Sequence, residues 1–370
     1  MNEHVTAISK RRDETLGDAL SRQGISRRAF LKYSAYLASI MALPPSAAKV
    51  MAEGLAKARR QAVIWLSFQE CTGCTESLTR SFSPSLEDLI FDFISLDYHH
   101  TLQAASGEAA EAARRQSMEE NKGKYIVIVD GSVPMADGGI YSMIAGQTNI
   151  DILAETVENA AAVIAVGTCA AFGGLPFANP NPTGAVPVSD LVKNKPVINI
   201  PGCPPIPEAM AGTIAHFLAF GKIPELDDLG RPRSFFGETI HDRCYRRPFY
   251  DRGMFAKSFD DEGAREGWCL YEVGCKGPVT YNACATLKWN GGVSFPIQSG
   301  HGCIGCSEEG FWDQGGFYNR LTNITQFGVE ANADKVGMAA AGVVGGAVAI
   351  HAAISALKRA QKKSQDKVEG

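Results

Sequence analysis

Short apolar runs recur along the first part of the chain, at Val63–Ser67, Phe91–Tyr98, Tyr125–Asp130, Ala162–Val166 and Pro196–Ile200. Several are β-rich and bounded by Gly or Pro, the signature of strands buried on both faces. Between them, Thr101–Glu120 and Ile150–Ala160 read as helices. Strand–helix alternation predicts a doubly wound parallel α/β sheet over residues 60–235. Regular periodicity fades over 236–325, where Gly, Pro, aromatics and Cys dominate. Such a segment would be held by bound groups more than by a regular sheet. Thr322–Lys335 reads as a linker to a third pattern, the uncharged stretch Val336–Leu357. At about 1.5 Å per residue that stretch can cross a hydrocarbon core of about 30 Å. Lys358, Arg359, Lys362 and Lys363 follow at once, so the positive-inside rule leaves the tail in the cytoplasm. A buried soluble helix rich in Ala has the same composition. Gly342, Gly345 and Gly346 permit close packing with partner helices, and His351 suits an interhelical hydrogen bond or contact with a haem-bearing partner.

The N-terminus carries a different pattern. Ser26-Arg27-Arg28-Ala29-Phe30-Leu31-Lys32 precedes the apolar run Tyr33–Leu43, and Ser46-Ala47-Ala48 follows. Charged region, short apolar region and small-residue site make a signal peptide. The paired arginines resemble the twin-arginine export signal. Residues 1–48 are therefore expected to lie outside the fold, with cleavage after Ala48 or, alternatively, Ala52. A basic amphipathic helix is the plainer reading of the same residues.

Composition narrows the function. The chain has 370 residues, 45% hydrophobic, with a formal net charge of -4. That supports a sizeable core and argues against nucleic acid as a partner. Ten cysteines are too sparse for a disulfide-stapled scaffold and about right for several metal sites.

The cysteines fall at telling places. Cys71 and Cys74 form a C-x2-C after the first apolar run; Cys169 and Cys203 follow two later ones. In a doubly wound sheet, loops at the carboxyl ends of strands share one crevice. The second segment holds His241, Cys244, Cys269, Cys275, Cys284, Cys303 and Cys306. These divide into sets of four, four and three, with no cysteine left over. Structural zinc prefers four local ligands in two close pairs, whereas iron–sulfur clusters accept scattered thiolates, and a three-thiolate set suits a cluster one iron short. Zinc, disulfides and unrelated buried thiols are the competing readings.

E-C-T-G-C-T-E (70–76), G-T-C (167–169), I-P-G-C-P-P (200–205), H-D-R-C-Y-R-R (241–247), G-C-K-G-P-x-T-Y-N-x-C (274–284) and F-P-I-Q-S-G-H-G-C-I-G-C (295–306) closely resemble the small subunit of membrane-bound periplasmic [NiFe] uptake hydrogenases. The resemblance runs from the export signal to the C-terminal anchor. It implies a flavodoxin-like first domain, an irregular iron–sulfur domain and a single transmembrane helix. It assigns Cys71, Cys74, Cys169 and Cys203 to a proximal [4Fe-4S] cluster. Cys284, Cys303 and Cys306 go to a medial [3Fe-4S] cluster, with Pro296 near the family's non-ligating proline. His241, Cys244, Cys269 and Cys275 go to a distal [4Fe-4S] cluster, with Arg243, Arg246 and Arg247 as a basic rim at the electron exit. The NiFe centre would reside in a partner large subunit, so no catalytic residue is expected here. Electrons would pass to a membrane cytochrome b or similar quinone-linked partner. Oxygen-tolerant members carry two further cysteines, where this chain has Gly73 and Ser142, which implies an oxygen-sensitive enzyme. An iron–sulfur subunit of another respiratory oxidoreductase, such as that of respiratory complex I, is the alternative. It resembles only the first domain.

Overall fold

The computed structural model describes residues 14–22, 24, 26–82, 85, 93–321 and 333–365. Three helices come first: α1 (Leu16–Arg22), α2 (Arg27–Ile40) and α3 (Pro45–Lys57). Alternating elements follow: β1 (Gln61–Ser67), α4 (Gly73–Thr79), β2 (Ile94–His99), α5 (Gly107–Glu120) and β3 (Ile126–Asp130). Then come α6 (Asn149–Val157), β4 (Ala162–Val166), α7 (Gly167–Phe172), β5 (Val197–Ile200) and α8 (Pro207–Phe220).

The five strands form one parallel sheet in the order β2-β1-β3-β4-β5. This is the expected doubly wound α/β domain, and the strand order is that of flavodoxin-like sheets. The runs are apolar throughout because both faces are covered. Val63, Trp65, Ile126, Ile128, Ile164 and Ile198 enter one core with Met210 and Ile214 of α8. Ile64, Leu66, Val127, Val129 and Val163 enter the other, with Ile152 and Leu153 of α6. Each fully buried aliphatic side chain contributes about 1.5–3 kcal/mol, so the sheet is the rigid part of the molecule. The predicted strand Phe91–Tyr98 is present as β2 from Ile94; positions 91 and 92 lie outside the described residues.

Residues 1–48 are read as a leader lying outside the fold; in this structure one face of the described part of that segment packs onto the sheet domain, while Arg27, Arg28, Leu31 and Lys32 are exposed. Leu16, Leu20, Leu37 and Met41 are buried in the same cluster as Val63 and Ile214. The apolar spacing that makes a leader also makes an amphipathic helix pair, and the sheet face beside α8 offers it a place to bury. Positions 1–13 lie outside the described residues.

Beyond α8 the chain forms short helical turns and isolated bridges, such as Thr239 with Tyr281 and Phe255 with Cys269. A small core of Ile240, Ala256, Leu270, Val273, Phe295 and Ile297 includes Cys275 itself. The irregularity expected for 236–325 is present among the described residues; 322–332, most of the expected linker, lie outside them. The chain resumes as α9 (Ala333–Gln365). Its stretch Ala340–Lys358 is long and apolar enough to cross a membrane, with mean hydropathy 1.8 and none of it buried against the rest of the protein.

Candidate metal centres

The carboxyl ends of β1, β3, β4 and β5 bring together four cysteines distant in sequence. Cys71 lies in the loop after β1, and Cys74 sits in the first turn of α4. Cys169 occupies the first turn of α7, directly after β4, and Cys203 the loop after β5. Two glycines make the convergence possible. Gly167 has φ +82°, and a Cβ there would lie 2.5 Å from Cys74 Sγ. Gly174 has φ +56°, and its Cβ would lie 2.6 Å from Cys169 Sγ. Neither a left-handed backbone nor such an approach tolerates a side chain.

Burial is the main force on these thiols. It raises Cys74 well above the ordinary thiol range, Cys169 to about 11 and Cys203 to about 12. The neighbouring charges that push them further are Asp130, Glu70 and one another. Asp130, at the end of β3, is itself pushed up to about 7 by burial and then by Glu70. For Cys74, Cys169 and Cys203, burial among acids disfavours the thiolate unless a cation joins it. Spacing of cysteines does not single out Asp130; a carboxylate ending an otherwise apolar strand is the signal that could.

The second group lines a cavity of about 200 Å³. Cys284, Cys303 and Cys306 face it together with Pro296, Ile240, Phe295 and Ile297. Burial raises all three thiols. In the third group, His241 and Cys244 flank a single 3-10 turn, while Cys269 and Cys275 are buried. Cys269 is pushed up to about 12 by burial, partly countered by the Tyr271 N–H and raised by Cys275 and Cys244. Burial, then Arg247, lowers His241 to about 4, which keeps the imidazole neutral, its ligand form. Its ring meets the Tyr250 edge at 4.5 Å.

The groups form a row. Cys203 feels Cys306, joining the first group to the second. The N–H of Cys303 donates to Cys275 Sγ at 3.3 Å, joining the second to the third. Backbone N–H groups of Gly277, Gly305 and Arg246 also donate to Cys275, Cys303 and Cys244 Sγ, each at 3.4 Å. Thr168 spans the domains: its hydroxyl donates to the Cys306 carbonyl and accepts from the Gly202 N–H at 2.9 Å. Glu308 fixes the last loop by accepting from Arg231 at 3.1 Å and from the Tyr281 N–H at 2.6 Å.

The arginines of the expected basic rim all have partners. Arg246 is buried, donating to the Trp268 carbonyl and the Tyr245 hydroxyl. Arg243 forms a two-toothed pair with Glu238 at 2.6 Å, and Arg247 pairs with Asp251 at 3.0 Å.

Among the described residues, no three His, Cys, Asp or Glu side chains close on one point as a single metal ion requires. The donors are soft, and those of the second group line a cavity, which suits a polynuclear cluster better than a zinc ion. A parallel α/β domain extended by a row of such donors defines a redox protein that moves electrons rather than bonds.

Residues 71–217 match the family model of the 20 Kd subunit of NADH ubiquinone oxidoreductase, and residues 236–319 match that of the C-terminal part of the NiFe/NiFeSe hydrogenase small subunit. The uptake hydrogenase small subunit of Rhizobium leguminosarum bv. viciae is 53% identical over 352 residues, 95% of this chain and 98% of that one. That of Azotobacter vinelandii is 52% identical over 350 residues, again 95% and 98%. A chain of the Ni-Fe-Se hydrogenase of Desulfomicrobium baculatum superposes with TM-score 0.67 at 35% identity, over 71% of this chain and all of that one. The chain belongs to the family of uptake [NiFe] hydrogenase small subunits. As such it is the electron-transfer subunit of a hydrogenase and works in complex with a large subunit. Small subunits of this family carry iron–sulfur clusters. The respiratory alternative accounts for the first domain alone, as the limits of the two matches require.

Proposed function

We propose that the three donor groups hold three clusters in series: a proximal [4Fe-4S] on Cys71, Cys74, Cys169 and Cys203, a medial [3Fe-4S] on Cys284, Cys303 and Cys306, and a distal [4Fe-4S] on His241, Cys244, Cys269 and Cys275. The observation that carries this reading is the continuity of the groups: the Thr168 hydroxyl joins the Gly202 turn beside Cys203 to the Cys306 carbonyl, and the Cys303 N–H donates to Cys275 Sγ. Bound clusters supply one-electron transfer there, joining the NiFe centre of the large subunit to an external acceptor. The chain's own residues hold the sulfurs in place, bury those of Cys74, Cys269 and Cys275, and donate N–H groups that spread thiolate charge. The His241 imidazole replaces one thiolate at the outer end and makes that site less negative.

The remaining pieces concern location. The arginine pair at 27 and 28 is read as a twin-arginine export signal, so the body would work on the periplasmic face. The α9 helix would anchor it as a single span, and a membrane cytochrome b or similar quinone-linked partner would accept the electrons. The domain limits are 1–48 for the leader, 60–235 and 236–325 for the two cluster-bearing domains, and 336–357 for the anchor. Iron and sulfide quantification with EPR of the oxidised mature chain tests the cluster reading. Eleven irons and a three-iron signal are expected. Iron near zero with stoichiometric zinc would sink it.

A further inference from the structure

The N-terminal helices pose a question that electron transfer does not answer. In α2, Ser34, Leu37 and Ala38 are buried, and Met41 follows at 2% exposure. Leu37, Ala38 and Met41 share one cluster with Met210, Ile214 and Ala215 of α8, with Phe235, and with Met51 and Leu55 of α3. The groove is shaped for its occupant. Gly212 of α8 leaves room for Phe235 and Met41: a Cβ there would lie 2.8 Å from Phe235 Cζ and 3.7 Å from Met41 Cγ. A Cβ at Gly54 of α3 would lie 2.0 Å from the Ala219 carbonyl oxygen of α8.

The same geometry treats the leader's parts unequally. Arg27 and Arg28 are exposed at the first turn of α2, behind the Ser26 cap that accepts from the Ala29 N–H at 3.2 Å. No acidic residue occupies that turn, so two cations stand at the positive end of the helix dipole, where they do not favour the helix. Their presence there is better explained by display than by stability. One face of the apolar run behind them, Ser34, Leu37, Ala38 and Met41, is occluded, while Ala35 and Tyr36 on the other face stay exposed. Both cleavage candidates, Ala48 and Ala52, lie inside α3, and Ala52 is 4% exposed. A peptidase needs an extended segment, so neither can be cut where it stands.

We propose that the apolar face of α8 is a docking groove for the chain's own leader, which displays the arginine pair while withholding the apolar run and the cleavage site until the leader undocks. The groove exists only when β3, β4 and α8 are assembled, so the address is presented by a folded domain. The gating rests on the export reading above; the docking does not.

The test uses the full-length precursor with its leader intact. By hydrogen exchange, amides of 30–41 should exchange about a hundredfold or more slower than unstructured chain. Exchange at unstructured rates, with β3 and β4 protected, would overturn the docking. Gly212→Leu, which crowds Phe235 and the Met41 packed beside it, should abolish the protection and speed leader removal in cells several-fold. Should that variant disturb β3, Met41→Ala takes its place; it makes the leader less apolar, so faster processing could come only from undocking. Lost protection without faster processing would overturn the gating. Arg27→Lys with Arg28→Lys should stop export and leave the protection intact. Continued export of that pair would overturn the export reading, and with it the gating, while the exchange measurement still decides the docking.

Discussion

Pro296 lines the cavity shared by Cys284, Cys303 and Cys306, where a thiol would become a fourth donor. If the medial set holds the proposed [3Fe-4S] cluster, Pro296→Cys should convert it towards [4Fe-4S], removing its EPR signal in the oxidised protein; persistence of that signal would count against the assignment. His241 is the one imidazole in the proposed distal set, and its ring packs T-shaped against Tyr250. His241→Ala should leave hydrogen isotope exchange at the partner's metal centre intact while slowing reduction of external acceptors about tenfold or more, the scale on which metal-site substitutions act. Unchanged acceptor reduction with full iron content would contradict this. A Cβ at Gly73 would lie 3.2 Å from Cys71 Sγ, so a side chain there would meet the first donor group. The chain offers no cysteine beyond the ten already grouped. Hydrogen oxidation on an electrode should therefore fail as oxygen is admitted; sustained current under air would overturn that expectation.

At the scale of elements, α5 is held to α6 by one buried cation. Arg114 is fully buried, donating to Glu111 at 3.0 Å, to Glu155 at 2.8 Å and to Thr156 at 2.8 Å. Tyr98 of β2 completes the knot by donating to Glu111 at 2.6 Å. Arg114→Ala strands a buried carboxylate and should cost about 3–5 kcal/mol, seen as a lower thermal midpoint with early loss of amide protection in α5. Nothing in the sequence announces this knot, because Arg114 and Glu111 sit in a helix whose charges read as a solvated face. The strands are legible: Ala162–Val166 is β4 to the residue, and Val63–Ser67 falls within β1. Helix limits are less so. Thr101–Glu120 is helical only from Gly107, while the helix expected from Ile150 starts one residue earlier, at Asn149, where the Thr148 hydroxyl accepts from the Asp151 N–H. The cysteines are legible by type and spacing as candidate donors, since soft-metal chemistry leaves few substitutes for cysteine. Their neighbours Asp130, Thr168 and Glu308 are not, because their roles exist only once distant loops meet. Docking of α2 is hidden for another reason: one apolar periodicity serves both a leader and a core helix.

Across the whole molecule, the body and α9 separate cleanly, since the apolar part of α9 is unburied against the rest. A chain ending at Leu321, paired with its large subunit, should leave the membrane fraction and still reduce a soluble dye with hydrogen, while losing quinone reduction. Retention on membranes would show a second anchoring surface. The two domains behave differently from body and anchor. Thr168 ties the start of α7, the Gly202 turn and the Cys306 carbonyl through one hydroxyl, and Arg231 and Glu308 lock the loop beyond. The gap between the first and second donor groups is thus a fixed dimension of one folded body, not the average of two moving ones. Current through this protein should then follow hydrogen supply and acceptor demand alone. Thickening the solvent with glycerol should leave it unchanged until the acceptor's own diffusion slows.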